Sequence, residues 1–344
     1  MTTIIDIDGS QGEGGGQILR TALSLSMITG KPFRLANIRA GRKKPGLMRQ
    51  HLVCVQAAQR ISNASVQGDE LHRQQLEFFP QAIQAGHYEF NIGTAGSTML
   101  VLQTLLPALL LQNKPSRISI QGGTHNPMAP TADFIQHCFL PAISKIGIDV
   151  EFEVEQAGFF PIGGGKVTAI IQPWQNRQCL NLTKRGEVQA IKAYAGVLNL
   201  TDDIAKRELA VLQDQLSLSH SQQVYLKGIS QGNTAYVAVH SEQHCQLFTT
   251  LGEMRKSAER VAHDLAREVK NYLKSHAVVD EHLADQLLLP LALGKGSAFT
   301  AQCISEHTRT QAAMIQKFLD CEIKFATTID GTDLITVITV ITRH

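Results

Sequence analysis

Apolar and polar positions over the first 171 residues spell one pattern twice. Residues 3–8 alternate with the period of a strand, and a stretch holding Gly9, Gly12, Gly14, Gly15 and Gly16 leads into a helical run over 17–28, closed by Gly30 and Pro32. A strand at 33–38, a helix at 45–61 and two short strands follow. Residues 86–171 repeat the series: strand 88–92, loop 93–96, helix 97–112, strand 117–121, helix 132–146 and two more strands. Gly14 and Gly96 stand 82 apart, and Pro32 and Pro115 stand 83 apart, which predicts tandem βαβαββ units.

The repeat stops at residue 182 and resumes at 279, with helix 285–293, strand 297–301, helix 307–319 and strands reaching 340. Residues 184–277 have their own order: strand 187–194, helix 202–216, strands 223–226 and 234–240, and a highly charged helix 255–275. The expected fold class is therefore α/β, with tandem repeated βαβαββ units forming a large domain and a smaller α/β domain inserted. The expected boundaries are 1–182 and 279–344 for the large domain of three repeats, and 183–278 for the insert.

Composition narrows the class of function. The 344 residues carry 32 Lys+Arg against 30 Asp+Glu, a formal charge of +2, which on totals alone excludes a strongly basic nucleic-acid binder. Residues 1–8 hold no basic segment before an apolar stretch. The longest apolar run, 100–111, is broken by Gln103, Thr104 and Pro107 and falls short of the ~20 residues that span a bilayer. No membrane association is expected, and the localisation is read as cytoplasmic. Six scattered cysteines without a CxxC read as reduced thiols, and Cys303 with His307 lacks the second pair that zinc needs.

The small net charge is an average over unlike parts. Residues 14–68 contain nine basic side chains (Arg20, Lys31, Arg34, Arg39, Arg42, Lys43, Lys44, Arg49, Arg60) and no acidic one, which leaves 23 basic against 30 acidic residues elsewhere. A solvated face is the ordinary reading of a charge run. Here the sign is one-sided and arginine dominates, and arginine suits bidentate phosphate recognition, so the stretch points to a phosphate-rich ligand.

Three motifs carry candidate chemistry. Asp8-Gly-Ser-Gln-Gly-Glu-Gly-Gly-Gly-Gln17 lets backbone N–H groups approach an anion at a helix start, although a tight βα turn explains its glycines equally well. It lacks the Lys-Ser/Thr of a P-loop, and Gln17 stands where a dinucleotide fingerprint requires glycine. Glu13 inside it would repel phosphate unless it holds a divalent cation. In Ala157-Gly-Phe-Phe-Pro-Ile-Gly-Gly-Gly-Lys166, three glycines before a strand imply close approach of another backbone or a ligand. In Ser305-Glu-His-Thr-Arg309, Ser305 is an N-cap residue that puts His307 in the first helical turn, a tenable place for a nucleophilic imidazole.

In this order and spacing the residues resemble the RNA 3′-terminal phosphate cyclase family almost from end to end. The resemblance is carried by Asp8-Gly-x-Gln-Gly-Glu-Gly-Gly-Gly-Gln-Ile-Leu-Arg20, Ile38-Arg-Ala-Gly-Arg42, Lys44-Pro-Gly-Leu47, Arg49-Gln-His51 and Ile92-Gly-Thr-Ala-Gly-Ser97. Gly122-Gly-Thr124, Asn126-Pro127, Gly158-Phe-Phe-Pro-x-Gly-Gly-Gly165, Leu283-Ala-Asp-Gln-Leu287 and a histidine opening the last helix complete it. It implies a nucleophile, His307, that takes AMP from ATP, passes it to an RNA 3′-phosphate, and leaves a 2′,3′-cyclic phosphate after attack by the 2′-hydroxyl. It implies that Glu13 holds Mg²⁺ or Mn²⁺. It further implies that Arg20, Arg39, Arg42, Gln50 and His51 bind the triphosphate or the RNA end. Gln103, Pro130, His282, Leu283, Ala284, Asp285 and Gln286 are implied to form the ATP pocket. The expected partner is an RNA 3′-phosphate end, with a homodimer left open.

Two positions depart from the family pattern: Ala157 stands where Arg or His is usual, and His282 where Tyr is common. The rival readings are a non-catalytic scaffold of ribosome biogenesis with the same fold, which lacks the histidine nucleophile, and an enzyme resembling enolpyruvyl transferases, which uses similar repeats without a covalent histidine.

Overall fold

Three four-stranded sheets share one strand order. The computed structural model of the protein describes residues 3–12, 14–330 and 333–342, with backbone alone at Ile329, Asp330, Asp333 and Leu334. The first unit runs β1 (Ile5–Asp8), α1 (Gly16–Thr29), β2 (Phe33–Ala36), α2 (Arg49–Ser62), β3 (Ser65–Gln67) and β4 (Leu76–Phe79), in the sheet order β1-β2-β4-β3. The second runs β5 (His87–Asn91), α3 (Thr98–Leu110), β6 (Ser116–Gly122), α4 (Ala132–Phe134), a π turn (Ile135–Phe139), α5 (Leu140–Ser144), β7 (Val150–Gln156) and β8 (Gly165–Ile171), ordered β5-β6-β8-β7. In both units the first two strands are parallel, as a helical crossover requires, and the other pairs are antiparallel.

The third unit opens with β9 (Leu180–Leu182) and is then interrupted. The intervening segment builds a separate sheet from β10 (Val188–Leu198), β11 (His220–Tyr225), β12 (Gly232–Ser241) and β13 (Cys245–Leu251), ordered β11-β10-β12-β13. α6 (Asp203–Gln215) and α7 (Ala258–Lys274) close its own core around Ala195, Val237, Leu265 and Val269. The third unit then resumes with α8 (Glu281–Leu293), β14 (Ser297–Ala301), α9 (Glu306–Phe318), β15 (Cys321–Asp330) and β16 (Asp333–Thr342). Its order, β9-β14-β16-β15, repeats the other two.

α1 is buried nearly all round, its polar Gln17, Thr21, Ser24 and Ser26 included, and packs against α2, α3 and α9. Gly30, with φ 68°, ends it in the left-handed region as the sequence predicts. α2 begins at Arg49, later than its pattern implies. Gly46 adopts φ 76° and donates its N–H to Ile38 O at 2.8 Å, which holds residues 38–47 in a loop. No helix among the described residues is long and apolar enough to cross a membrane.

Candidate active site

The glycine-rich turn after β1 leaves the start of α1 bare of side chains, and two others fill the space. A Cβ at Gly16 would overlap His51 Nε2 and lie 2.8 Å from Arg20 Nη1. Glycine is required there for room, and Arg20 and His51 converge on the positive end of a helix dipole. The Met48 N–H donates to His51 Nδ1 at 3.3 Å, so the ring hydrogen sits on Nε2. Burial first, then the charges of Arg20 and Arg39, hold the His51 pKa down to about 3. His51 is therefore a neutral hydrogen-bond donor. Its neighbour Gln50 accepts the Ser97 N–H at 2.8 Å and ties α2 to the second unit.

Alongside lies a cleft of about 1330 Å³ whose wall includes Gln17, Arg20, Gln103, Pro130, His282, Asp285, Gln286 and His307, drawn from all three units. Its opposite wall comes from the inserted segment. There Glu208 is fully buried, accepts from Asn233 Nδ2 at 2.8 Å, and is pushed up by burial to a pKa of about 7. The volume exceeds the roughly 300–1,000 Å³ of ordinary small-molecule pockets.

His307 stands in the first turn of α9, where Ser305 Oγ accepts the Thr308 N–H at 3.2 Å and caps the helix as predicted. Its Nδ1 lies 3.0 Å from Gln17 Oε1, and Gln17 Nε2 donates to Asp285 Oδ2 at 3.1 Å. With the Asp285 carboxyl ionised, only the NH₂ end of the amide can donate to it, which fixes the way the amide points. Gln17 Oε1 therefore accepts Nδ1–H, and the His307 lone pair resides on Nε2. Burial, the largest cause, raises the Asp285 pKa to about 7, opposed by the charge of His282. Gln103 Nε2 donates to Gln286 Oε1 at 2.5 Å, and Gln286 Nε2 to His282 O at 2.7 Å, closing the cleft between α3 and α8.

Not every residue singled out in the sequence meets there. Leu283 and Ala284 are fully buried in the core, because α8 turns His282, Asp285, Gln286, Leu289, Pro290 and Leu293 to the cleft instead. Arg39, Arg42, Gln50 and His51 lie outside the cleft wall, with His51 behind the start of α1. Glu13 lies outside the described residues. The basic stretch does not form one face. Arg34 pairs with Glu77 at 2.7 Å, Arg60 lies over the Tyr88 and Phe90 rings, and Lys31 donates to Phe318 O at 2.7 Å. Gln17 was visible in the sequence only as the residue that spoils a dinucleotide fingerprint.

The Ala157–Lys166 motif joins the inserted segment to the second unit. Ala157 N donates to Lys227 O at 2.7 Å, Phe159 N to Ser230 Oγ at 2.9 Å, and Phe159 packs where a Cβ at Gly232 would stand. Gly163 abuts the Ala95 backbone and Gly164 abuts Ile229, so these glycines admit other chain segments. Ala157 itself is buried with Phe159 and Leu198, which makes its departure from the family pattern a matter of packing. His125 stacks on Phe159 at 4.7 Å, and its two ring nitrogens meet Thr124 Oγ1 at 2.7 Å and Asp133 Oδ2 at 2.9 Å.

A family model described as RNA 3′-terminal phosphate cyclase matches residues 11–325. The RNA 3′-terminal phosphate cyclase of Salmonella agona (strain SL483) is 48% identical over 320 residues, covering 93% of each chain. That of Koribacter versatilis (strain Ellin345) is 48% identical over 319 residues, 92% of this chain and 90% of its own. The crystal structure of the enolpyruvyl transferase NikO from Streptomyces tendae aligns at a TM-score of 0.40 and 10% identity, over 96% of this chain and 47% of that one, too slight a likeness to argue from. With the family model spanning nearly the whole chain and relatives this similar over nine-tenths of it, the chain belongs to the RNA 3′-terminal phosphate cyclase family.

Proposed function

We propose that the protein uses ATP to convert an RNA 3′-terminal phosphate into a 2′,3′-cyclic phosphodiester, through a covalent adduct of AMP on His307. The observation that carries the reading is the linkage of Asp285, Gln17 and His307, which puts a lone pair on Nε2 of a histidine in the wall of a nucleotide-sized cleft. In the first step Nε2 bonds to the α-phosphorus of ATP, and the bond to the bridging oxygen breaks with release of pyrophosphate. An oxygen of the RNA 3′-phosphate then displaces the imidazole and takes the AMP. The vicinal 2′-hydroxyl attacks the 3′-phosphorus, loses its proton to solvent and expels AMP. A phosphate monoester resists attack until it carries such a leaving group, which is what the covalent route supplies.

Arg20 and His51 suit an anion at the start of α1, and Arg39, Arg42 and Gln50 are proposed to join them in holding the triphosphate or the RNA end. Gln103, Pro130, His282, Asp285 and Gln286 suit the nucleotide, with Leu283 and Ala284 supporting them from the core. Among the described residues no three His, Cys, Asp or Glu side chains gather as a metal set. Glu13 is the residue proposed to hold Mg²⁺ or Mn²⁺, and no step here runs through it. The shared sheet order supports a large domain of residues 1–182 and 279–344 with an inserted domain at 183–278. Six unpaired thiols support a reducing, cytoplasmic setting.

The scaffold and enolpyruvyl-transferase alternatives are not favoured, since the relatives at 48% identity are cyclases. Incubation with α-labelled ATP and Mg²⁺ tests the reading. Acid-labile label on the wild-type protein, absent from His307→Ala, is expected. An unlabelled wild type that still binds RNA would select the scaffold.

A further inference from the structure

The mouth of the cleft is apolar on both sides. Met128 and Met254 are each 94% exposed, Phe160 64% and Ile162 58%, and all four line the cleft together with Leu200. Met128, Phe160 and Ile162 come from the second unit, and Leu200 and Met254 from the inserted segment, so the rim is continuous across the opening. Contiguous exposed apolar side chains mark a binding surface. The charged groups at this edge are largely paired among themselves: Arg207 with Glu259 at 2.9 Å, and Lys256 with Glu253 at 3.5 Å and Asp264 at 3.1 Å. Such a rim has little to offer a phosphate backbone and much to offer the faces of nucleobases.

We propose that this rim, with Phe160 as its aromatic member, is a stacking platform for the unpaired bases next to the RNA 3′ end. The proposal rests on the cyclase reading, because a strand whose terminal phosphate lies inside the cleft must leave across this mouth. Phe160 is held ready. Its neighbour Phe159 is fixed by the His125 ring and by the bond to Ser230, so the loop presents Phe160 outward without rearrangement. Past Ile162 the surface continues into a recess of about 300 Å³ whose wall carries Asn91, Gln121 and Gln156, amides suited to base edges, with Lys166 paired to Glu155 at 2.7 Å. The protein should therefore act on single-stranded or frayed ends and discriminate against a blunt duplex, whose last bases are stacked on each other.

The test is the Kd of short 3′-phosphate oligoribonucleotides, read by fluorescence anisotropy without ATP, so that it does not depend on catalysis. The strands are an unmodified one, one abasic at the penultimate nucleotide, and a blunt duplex. Phe160→Ala should weaken binding of the unmodified strand roughly 5- to 100-fold, the span for loss of a stacking aromatic. The abasic strand should lose a similar factor on the wild type and nothing further on the variant, while Phe160→Trp should bind as well as the wild type. Independent, additive losses, or equal affinity for abasic and unmodified strands, would overturn the proposal. So would a parallel rise in the KM for ATP, meaning that the rim closes over nucleotide, or a change in oligomeric state, meaning that it joins two copies. Failure of His307 labelling with normal base dependence of binding would remove the cyclase reading and leave the platform standing.

Discussion

Replacing Gln17 with Leu keeps the volume of a buried side chain and deletes both of its bonds. The bond to His307 Nδ1 at 3.0 Å helps to set the tautomer and the ring orientation of the proposed nucleophile. A net hydrogen bond contributes about 0.5–1.5 kcal/mol, and a mispositioned reacting group costs up to about 10²-fold in rate. Together these give an expected fall of about 10- to 100-fold in the rate of self-adenylation. The other bond, at 3.1 Å, leaves Asp285 Oδ2 short of a partner in a buried site, at about 1–3 kcal/mol of stability. The assay is single-turnover labelling with α-labelled ATP, quenched in alkali, at several ATP concentrations, so that rate and apparent affinity separate. The rate should fall while half-saturation moves little, since Gln17 acts on the imidazole. A folded Gln17→Leu protein labelling within about threefold of wild type would refute the argument, because the Gln17 bond would then contribute nothing to positioning the imidazole.

Three further outcomes follow from the geometry. Gly232→Ala should drive the Phe159 ring from its seat and lower unfolding stability by about 1–3 kcal/mol in urea titration, and an unchanged midpoint would mean that the junction yields without cost. Asp285, at about 7 in the fold against 3.8 ordinarily, binds its proton more tightly in the folded state. The stability it contributes is therefore greatest below about pH 4, declines as pH rises to about 7 and is flat above, a loss on the order of 4 kcal/mol. Asp285→Asn should gain on the wild type in calorimetry over that window, and a constant difference would contradict the assignment. His51 and His244, held neutral by burial at about 3 and about 4, act with the opposite sign. Their contribution is complete above about pH 6.5 and is lost as pH falls toward those values, so His244→Gln should flatten acid unfolding between pH 6.5 and 4, and an unaltered profile would count against it.

The architecture was legible because each unit cannot bury its sheet without its helices, and that need writes itself as a period in the glycines and prolines. Where the pattern erred, at the start of α2, a left-handed Gly46 and its bond to Ile38 outweighed the helical periodicity of 45–48. The basic stretch misled in a different way. A run of charge has one sign in sequence, but strand and helix geometry send Arg34 to Glu77, Arg60 to aromatic rings and Lys31 to a helix end. Arg20, with the Arg39 charge felt by His51, stays with the start of α1. His307, the proposed nucleophile, could be nominated from its cap. Its partner could not, because nothing local distinguishes Gln17 from a residue filling a turn, and the bond that gives it meaning spans 290 positions.

That span bears on the order of synthesis. Gln17 leaves the ribosome before His307, which emerges with α9 only after the whole inserted segment. No truncated or nascent chain lacking α9 contains the bond that orients the nucleophile. A chain still being made can shape the floor of the cleft without that bond, so on the proposed mechanism the onset of self-labelling would record that the third repeat has docked on the first.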